Sequence, residues 1–226
     1  MFELSRYAFI AAMVAVGGGL AFHAVASLKW RSFSLLSLAT GGTFSTETSP
    51  GFQAAMARFG TTLTVNAFLF LTASLGLRWV EAGHGPFSNM YEFSLAFAWG
   101  SLLIHLYFEF RYRLRALAFF TLPVALGLLI YATTVPDEIT PLVPALQNNL
   151  LLTIHVAVAI LAYGAFTVGF GAAVLYLIQH RFNVDWLPRK AILDEIGYKA
   201  VMAGFPLLAL VIILGAVWAE IAWGTY

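Results

Sequence analysis

Histidine is the residue type in this sequence best suited to ligand or proton chemistry, and it occurs at His23, His84, His105, His155 and His180. Imidazole coordinates metals and titrates near neutral pH. Cysteine is absent, which removes disulfides, thiolate metal sites and thiol nucleophiles together. Any chemistry therefore falls to histidine, carboxylates, tryptophan or a bound group.

Two segments combine such residues with turn signals. Residues 78–92 read RWVEAGHGPFSNMYE. Gly83, Gly85 and Pro86 predict a tight re-entry, and Asn89 with Glu92 suits the cap and first turn of a following helix. A plain turn leaves Trp79, His84 and Tyr91 unexplained, although aromatics are common at a membrane interface. Residues 218–226 read WAEIAWGTY. Tryptophans there fit interfacial anchors, but Glu220 between Trp218 and Trp223 calls for a partner or a water-lined site.

The elements that must position these residues follow from composition. Of 226 residues, 61% are hydrophobic and only 10% charged, too few charges for an ordinary soluble domain. The net charge of +1 gives no polyanion-binding excess, so nucleic acid is not an expected partner. A helical span needs roughly 20 apolar residues. Such stretches lie near 7–27, 61–80, 91–109, 115–134, 151–179 and 199–222. They are continuous and lack the alternation of barrel strands. The expected fold is therefore all-α, a polytopic membrane bundle of about six transmembrane helices, forming a single transmembrane domain over 1–226. Glu3 and Arg6 precede the first stretch with no small-residue cleavage site, so it reads as a retained span.

Lys29, Arg31 and Arg58 fall in the first loop, Arg111, Arg113 and Arg115 in the third, and Arg181, Arg189, Lys190 and Lys199 in the fifth. Those loops are expected in the cytoplasm. Asp137 and Glu138 lie in a fourth loop without basic residues, which should face outward together with both chain ends. The second loop then faces outward too, with Arg78 as an exception that Glu81 would partly neutralise.

On this topology His155 opens the fifth helix at its outward end, after Asn148 and Asn149, and its function stays open on physical grounds alone. His23 and His105 share the inner depth, where they would pair as axial ligands of a b-type cytochrome or simply hydrogen-bond neighbouring groups. His180 reads as an interfacial residue beside Arg181. A small-solute transporter is a further alternative: Asn66, Thr72, Ser74 and Gly127 would line its path, with kinks at Pro123 and Pro206.

Taken together, RWVEAGHGPFSNMYE at 78–92, NNLLLTIHVAVAILAYGAF at 148–166 and WAEIAWGTY at 218–226 resemble the cytochrome c-type biogenesis proteins of the CcsA/ResC kind, a haem-handling family with a tryptophan-rich outer segment. The strings follow the family's order, and the resemblance extends from about residue 60 onward. It implies haem delivery to the outer face and thioether attachment to the CXXCH thiols of apocytochrome c, beside a CcsB/ResB-type membrane subunit. His155 looks like the first of two external iron ligands. Trp218, Trp223, Gly224 and Tyr226 look like the leading edge of the haem-binding segment, and His84, Asn89 and Glu92 match its outer-loop pattern.

The family's tryptophan-rich segment continues into a WDPKE-like stretch, further helices, a second external histidine and one within the membrane. The chain therefore reads as the N-terminal part of a longer family member, expected to hold haem weakly or not at all and to be inactive by itself. The lack of an evident transit peptide favours a bacterial plasma membrane over a plastid thylakoid.

Overall fold

The computed structural model describes residues 1–27, 50–139, 141, 149–184 and 186–224. All regular elements among the described residues are helical: α1 (Phe2–Ser27), α2 (Pro50–Ala82), α3 (Met90–Tyr112), α4 (Ala118–Ala132), α5 (Asn149–Phe182) and α6 (Lys190–Trp223), with a single 3-10 turn at Arg115–Leu117 leading into α4. These make six helical stretches long and apolar enough to cross a membrane, so the protein is an integral membrane helix bundle. Most of them run past their expected bounds, two by nine residues or more at the start. α2 starts at Pro50 rather than 61, and α6 at Lys190 rather than 199. Hydropathy marks the lipid-covered part of a helix, while backbone hydrogen bonding continues into polar turns such as Asp194–Glu195. Lys29, Arg31 and Asn148 lie outside the described residues.

Packing is set by helical stripes and small residues. On α1, Ser5, Phe9, Ala12, Val16, Gly19 and His23 are buried, a spacing of three and four that keeps one face on the bundle. α1 meets α2 where the His23 ring lies so close to Gly60 that a Cβ there would sit 2.8 Å from it. α3 and α5 cross at Gly100 and Gly164, where a Cβ on Gly164 would stand 2.8 Å from the Gly100 carbonyl. Small residues permit such close backbone approach between membrane helices, where lipid removes most of the hydrophobic drive for association.

α3 is the central helix: 61% of its spanning window is buried, against 11% for α6. One apolar cluster joins α3 to α1, α2 and α4 through Phe9, Leu71, Leu95 and Leu122. A second joins α3 to α5 and α6 through Phe108, Val168 and Ile196. The N-terminal amine lies 3.9 Å from Glu81 Oε2, and Arg6 Nε 3.0 Å from Asp137 Oδ2. Because α6 packs alongside α5 with Gly215 against His155, both described chain ends lie at one end of the bundle.

Candidate functional site

The sequence-predicted site residues fall into two groups on different sides of α5. The first group surrounds the α2–α3 turn. Gly83, at φ +71°, closes α2, and its N–H donates to Trp79 O at 3.0 Å. Asn89 then caps α3, its Oδ1 accepting from Glu92 N–H at 2.9 Å, while its amide donates to Glu138 O at 2.9 Å. The Glu92 carboxylate accepts Ser88 N–H at 2.8 Å and the Ser88 hydroxyl at 2.7 Å on one oxygen. Its other oxygen receives Arg78 Nε–H at 3.0 Å.

Arg78 corrects the sequence reading. It belongs to α2 rather than to a loop, its side chain and that of Glu92 are fully buried, and its counter-charge is Glu92, with Glu81 instead nearest the N-terminal amine. The guanidinium also donates to Asp137 O at 2.8 Å and lies over the Tyr91 ring at 4.8 Å and the Phe2 ring at 5.8 Å. Its remaining nitrogen, Nη1, is buried without a partner. Asn89 and Glu92 thus have every polar atom of their side chains engaged in holding the turn. His84 Nδ1–H donates to Gly85 O at 2.9 Å, and Phe87 packs with Leu152, Val156 and Ile160 on one stripe of α5.

The second group lies on another face of that helix. His155, on the second turn of α5, has its ring centroid 6.0 Å from that of Trp218, which in turn lies 5.6 Å from Trp223. A Cβ at Gly215 would stand 3.1 Å from His155 Cε1, so the glycine makes room for the imidazole. Nδ1 of His155 is buried and makes no hydrogen bond. Gly224 ends α6 at φ +70°, its N–H donating to Glu220 O at 2.9 Å, and Trp223 is 62% exposed. His155, Trp218, Trp223 and Gly224 are therefore brought to one aromatic edge, and His84, Asn89 and Glu92 are not part of it. Tyr226 lies outside the described residues. The Glu220 side chain is exposed and has no ion pair among the described residues.

At the opposite end of the bundle the histidines occupy a polar cluster. His105 Nε2–H donates to Glu109 Oε2 at 3.1 Å, and Nδ1 pairs with the Thr121 hydroxyl at 2.7 Å. Glu109 Oε1 accepts from the Thr61 hydroxyl, with Arg115 Nε 3.6 Å away. Both ring nitrogens of His105 are engaged, which speaks against iron ligation and the b-type cytochrome. The readable signal was His105 and Glu109 four apart on one helix, a spacing at which side chains meet. Nor do the transporter residues line a path: Ser74 donates to Ser5 O at 2.9 Å, and Thr72 accepts from Trp99 Nε1–H at 2.8 Å. His180 stacks on Tyr176 with ring centroids 6.2 Å apart.

Residues 87–226 match the family model described as cytochrome C assembly protein. The chain belongs to that family. The match begins at the α2–α3 turn and takes in the whole His155–Trp218–Trp223 edge. The cytochrome c biogenesis protein CcsA of Guillardia theta is 34% identical over 190 residues, 72% of this chain and 63% of that one. CcsA of Microcystis aeruginosa is 34% identical over 223 residues, 74% of this chain and 68% of the relative. CcsA of Trichormus variabilis is 30% identical, covering 78% of this chain and 72% of its own. The chain thus spans under two thirds of the Guillardia protein and somewhat over two thirds of the other two.

Proposed function

We propose that this chain is the haem-handling membrane subunit of a cytochrome c synthase, which presents haem at the outer face for thioether attachment to the CXXCH thiols of apocytochrome c. The observation that carries the reading is the edge formed by His155, Trp218 and Trp223, within the segment that matches the cytochrome c assembly family.

The residues fit a haem substrate. Haem is planar and apolar at its vinyl edge, so it suits aromatic side chains and an axial nitrogen ligand. Trp218 and Trp223 supply the first, and His155 supplies an imidazole whose Nδ1 is not committed to a hydrogen bond. Gly215 leaves the space for that ring. Bound haem supplies the vinyl groups, and the apocytochrome supplies the thiols, in keeping with a chain that has no cysteine of its own. The protein's contribution is positioning. His84, Asn89 and Glu92 serve that end indirectly: with Arg78 they brace the turn that packs on the Leu152–Val156–Ile160 stripe of α5, beside the one that carries His155.

The bundle end carrying Asp137 and both described chain ends is the outer face in this reading. It is supported by Arg58, Arg111, Arg113, Arg115, Arg181, Arg189 and Lys190 gathering at the other end. The partner is a CcsB/ResB-type membrane subunit, and the membrane a bacterial plasma membrane. The test is the visible absorption spectrum, reduced and oxidised, of the chain purified from cells that co-express that partner. Haem absorbance that weakens or shifts in His155→Ala is the expected result. Wild type without haem would overturn the function, and an unchanged mutant spectrum would overturn the role of His155.

A further inference from the structure

The inner end of the bundle holds a cavity of about 210 Å³ that the haem reading does not use. It lies between the last turn of α1, the α3–α4 turn and the segment before α6, and its walls include His23, Ser27, Arg113, Arg115, Phe119 and Trp186. The volume equals several waters at the roughly 30 Å³ each takes in the liquid, which is room for a tetrahedral oxyanion.

The arginines on these walls are donors without a full complement of acceptors. His23 is 3% exposed and turns the Nε2 edge of its ring onto Gly60 of α2, so the imidazole helps to close the cavity wall. Arg113 is exposed and forms no ion pair among the described residues. Arg115 reaches Glu109 only through Nε at 3.6 Å and is 44% exposed, so its terminal nitrogens remain available. Glu109 offsets part of the Arg115 charge through this pair, which leaves Arg113 as the cation on the wall without a counter-charge among the described residues. The helical run Arg115–Ala132 also begins at the cavity wall, and the positive end of a helix favours an anion.

The remaining walls match an interfacial ligand. Phe119 and Trp186 pack edge to face, with centroids 5.7 Å apart, and close one side with apolar surface. Basic pockets between membrane helices on the cytoplasmic side hold phosphate-bearing head groups. The geometry points to a phosphate site here, in which Arg113 and Arg115 bind the charge against a wall that His23 helps to form. The phosphate belongs to an anionic phospholipid head group or to a soluble phosphate. The site shares no residue with the haem reading and lies at the opposite end of the bundle from His155; only its cytoplasmic placement rests on the orientation proposed above.

The full chain, purified in mild detergent, tests the proposal in two arms. Native mass spectrometry reads retained phospholipid, and phosphorus NMR line broadening reads inorganic phosphate added to delipidated protein. Retained anionic phospholipid identifies the head group, and binding of inorganic phosphate alone identifies the soluble ligand. In either case Arg113→Asn and Arg115→Gln each weaken binding about fivefold, the scale of one basic residue at an anionic membrane surface. Arg181→Gln, at the same end but off the cavity, leaves it unchanged. Asparagine is chosen because residue 113 has φ 54°, a conformation asparagine tolerates. Wild type that binds neither form overturns the proposal, with no variant needed. Equal binding by wild type and both cavity variants overturns it as well.

Discussion

α3 and the α5–α6 edge place polar side chains in the same apolar bundle and treat them in opposite ways. On α3 both buried carboxylates are spent, Glu92 accepting from Arg78 and Ser88 and Glu109 from His105 and Thr61, although Arg78 Nη1 and the Tyr91 hydroxyl stay unpaired. At the edge, His155 packs against Gly215 and Trp218, touches the backbone of Val211 and keeps Nδ1 unbonded. Unpaired polar groups are costly where water is absent. Satisfied clusters in such a place act as braces, whereas an uncommitted atom beside exposed aromatics is where a ligand gains most.

The largest expected effect tests the brace. Glu92→Ala leaves Arg78 buried without its counter-charge, a change that typically costs about 3–5 kcal/mol. It should appear as a marked fall in thermal unfolding temperature in detergent. Replacing both partners, Arg78→Met with Glu92→Leu, is expected to restore most of that loss. A Glu92→Ala protein as stable as wild type would remove the pair from its bracing role.

The α3–α5 crossing comes next. A Cβ on Gly100 overlaps Ile160 Cγ2, so Gly100→Ala should cost about 1–3 kcal/mol by overpacking. Gly127→Ala, which meets nothing within 4 Å, should stay within about 0.5 kcal/mol of wild type. Equal unfolding temperatures for the two variants would mean that α3 and α5 do not pack this closely. Loss of the Asn89 cap is smaller still, with Asn89→Ala expected to destabilise by about 1 kcal/mol and Asn89→Ser to recover most of it.

Only a small change in stability should come from the residue with the largest proposed role. His155→Ala breaks no hydrogen bond of Nδ1, so its unfolding free energy should fall by no more than about 1 kcal/mol while haem absorbance is lost. A fall of several kcal/mol would place His155 with the braces and erase the contrast with α3.

Individual residues show how far the sequence could be read. The asparagine and glutamate at the head of α3 were legible as a cap because capping is local, spanning three residues. Six spans were legible because each is continuous in sequence. The Arg78–Glu92 pair was not, since Glu81 lies nearer along the chain and the turn at Gly83 had to fold before α3 could present Glu92. His84 and His155 belong to strings that follow one another in order, yet α5 separates them. Order along the chain carries no information about which face of a helix a side chain occupies.

Sequence by itself determined that the protein dissolves in lipid as helices, because each long apolar run must satisfy its backbone hydrogen bonds within itself. It also determined which residues could do chemistry and, through the family's strings, to which family the chain belongs. Tertiary structure decided which polar groups are spent and which remain available. That choice depends on helix crossings, at Gly60 and at Gly100 with Gly164, where close packing rather than hydrophobic drive fixes which faces meet.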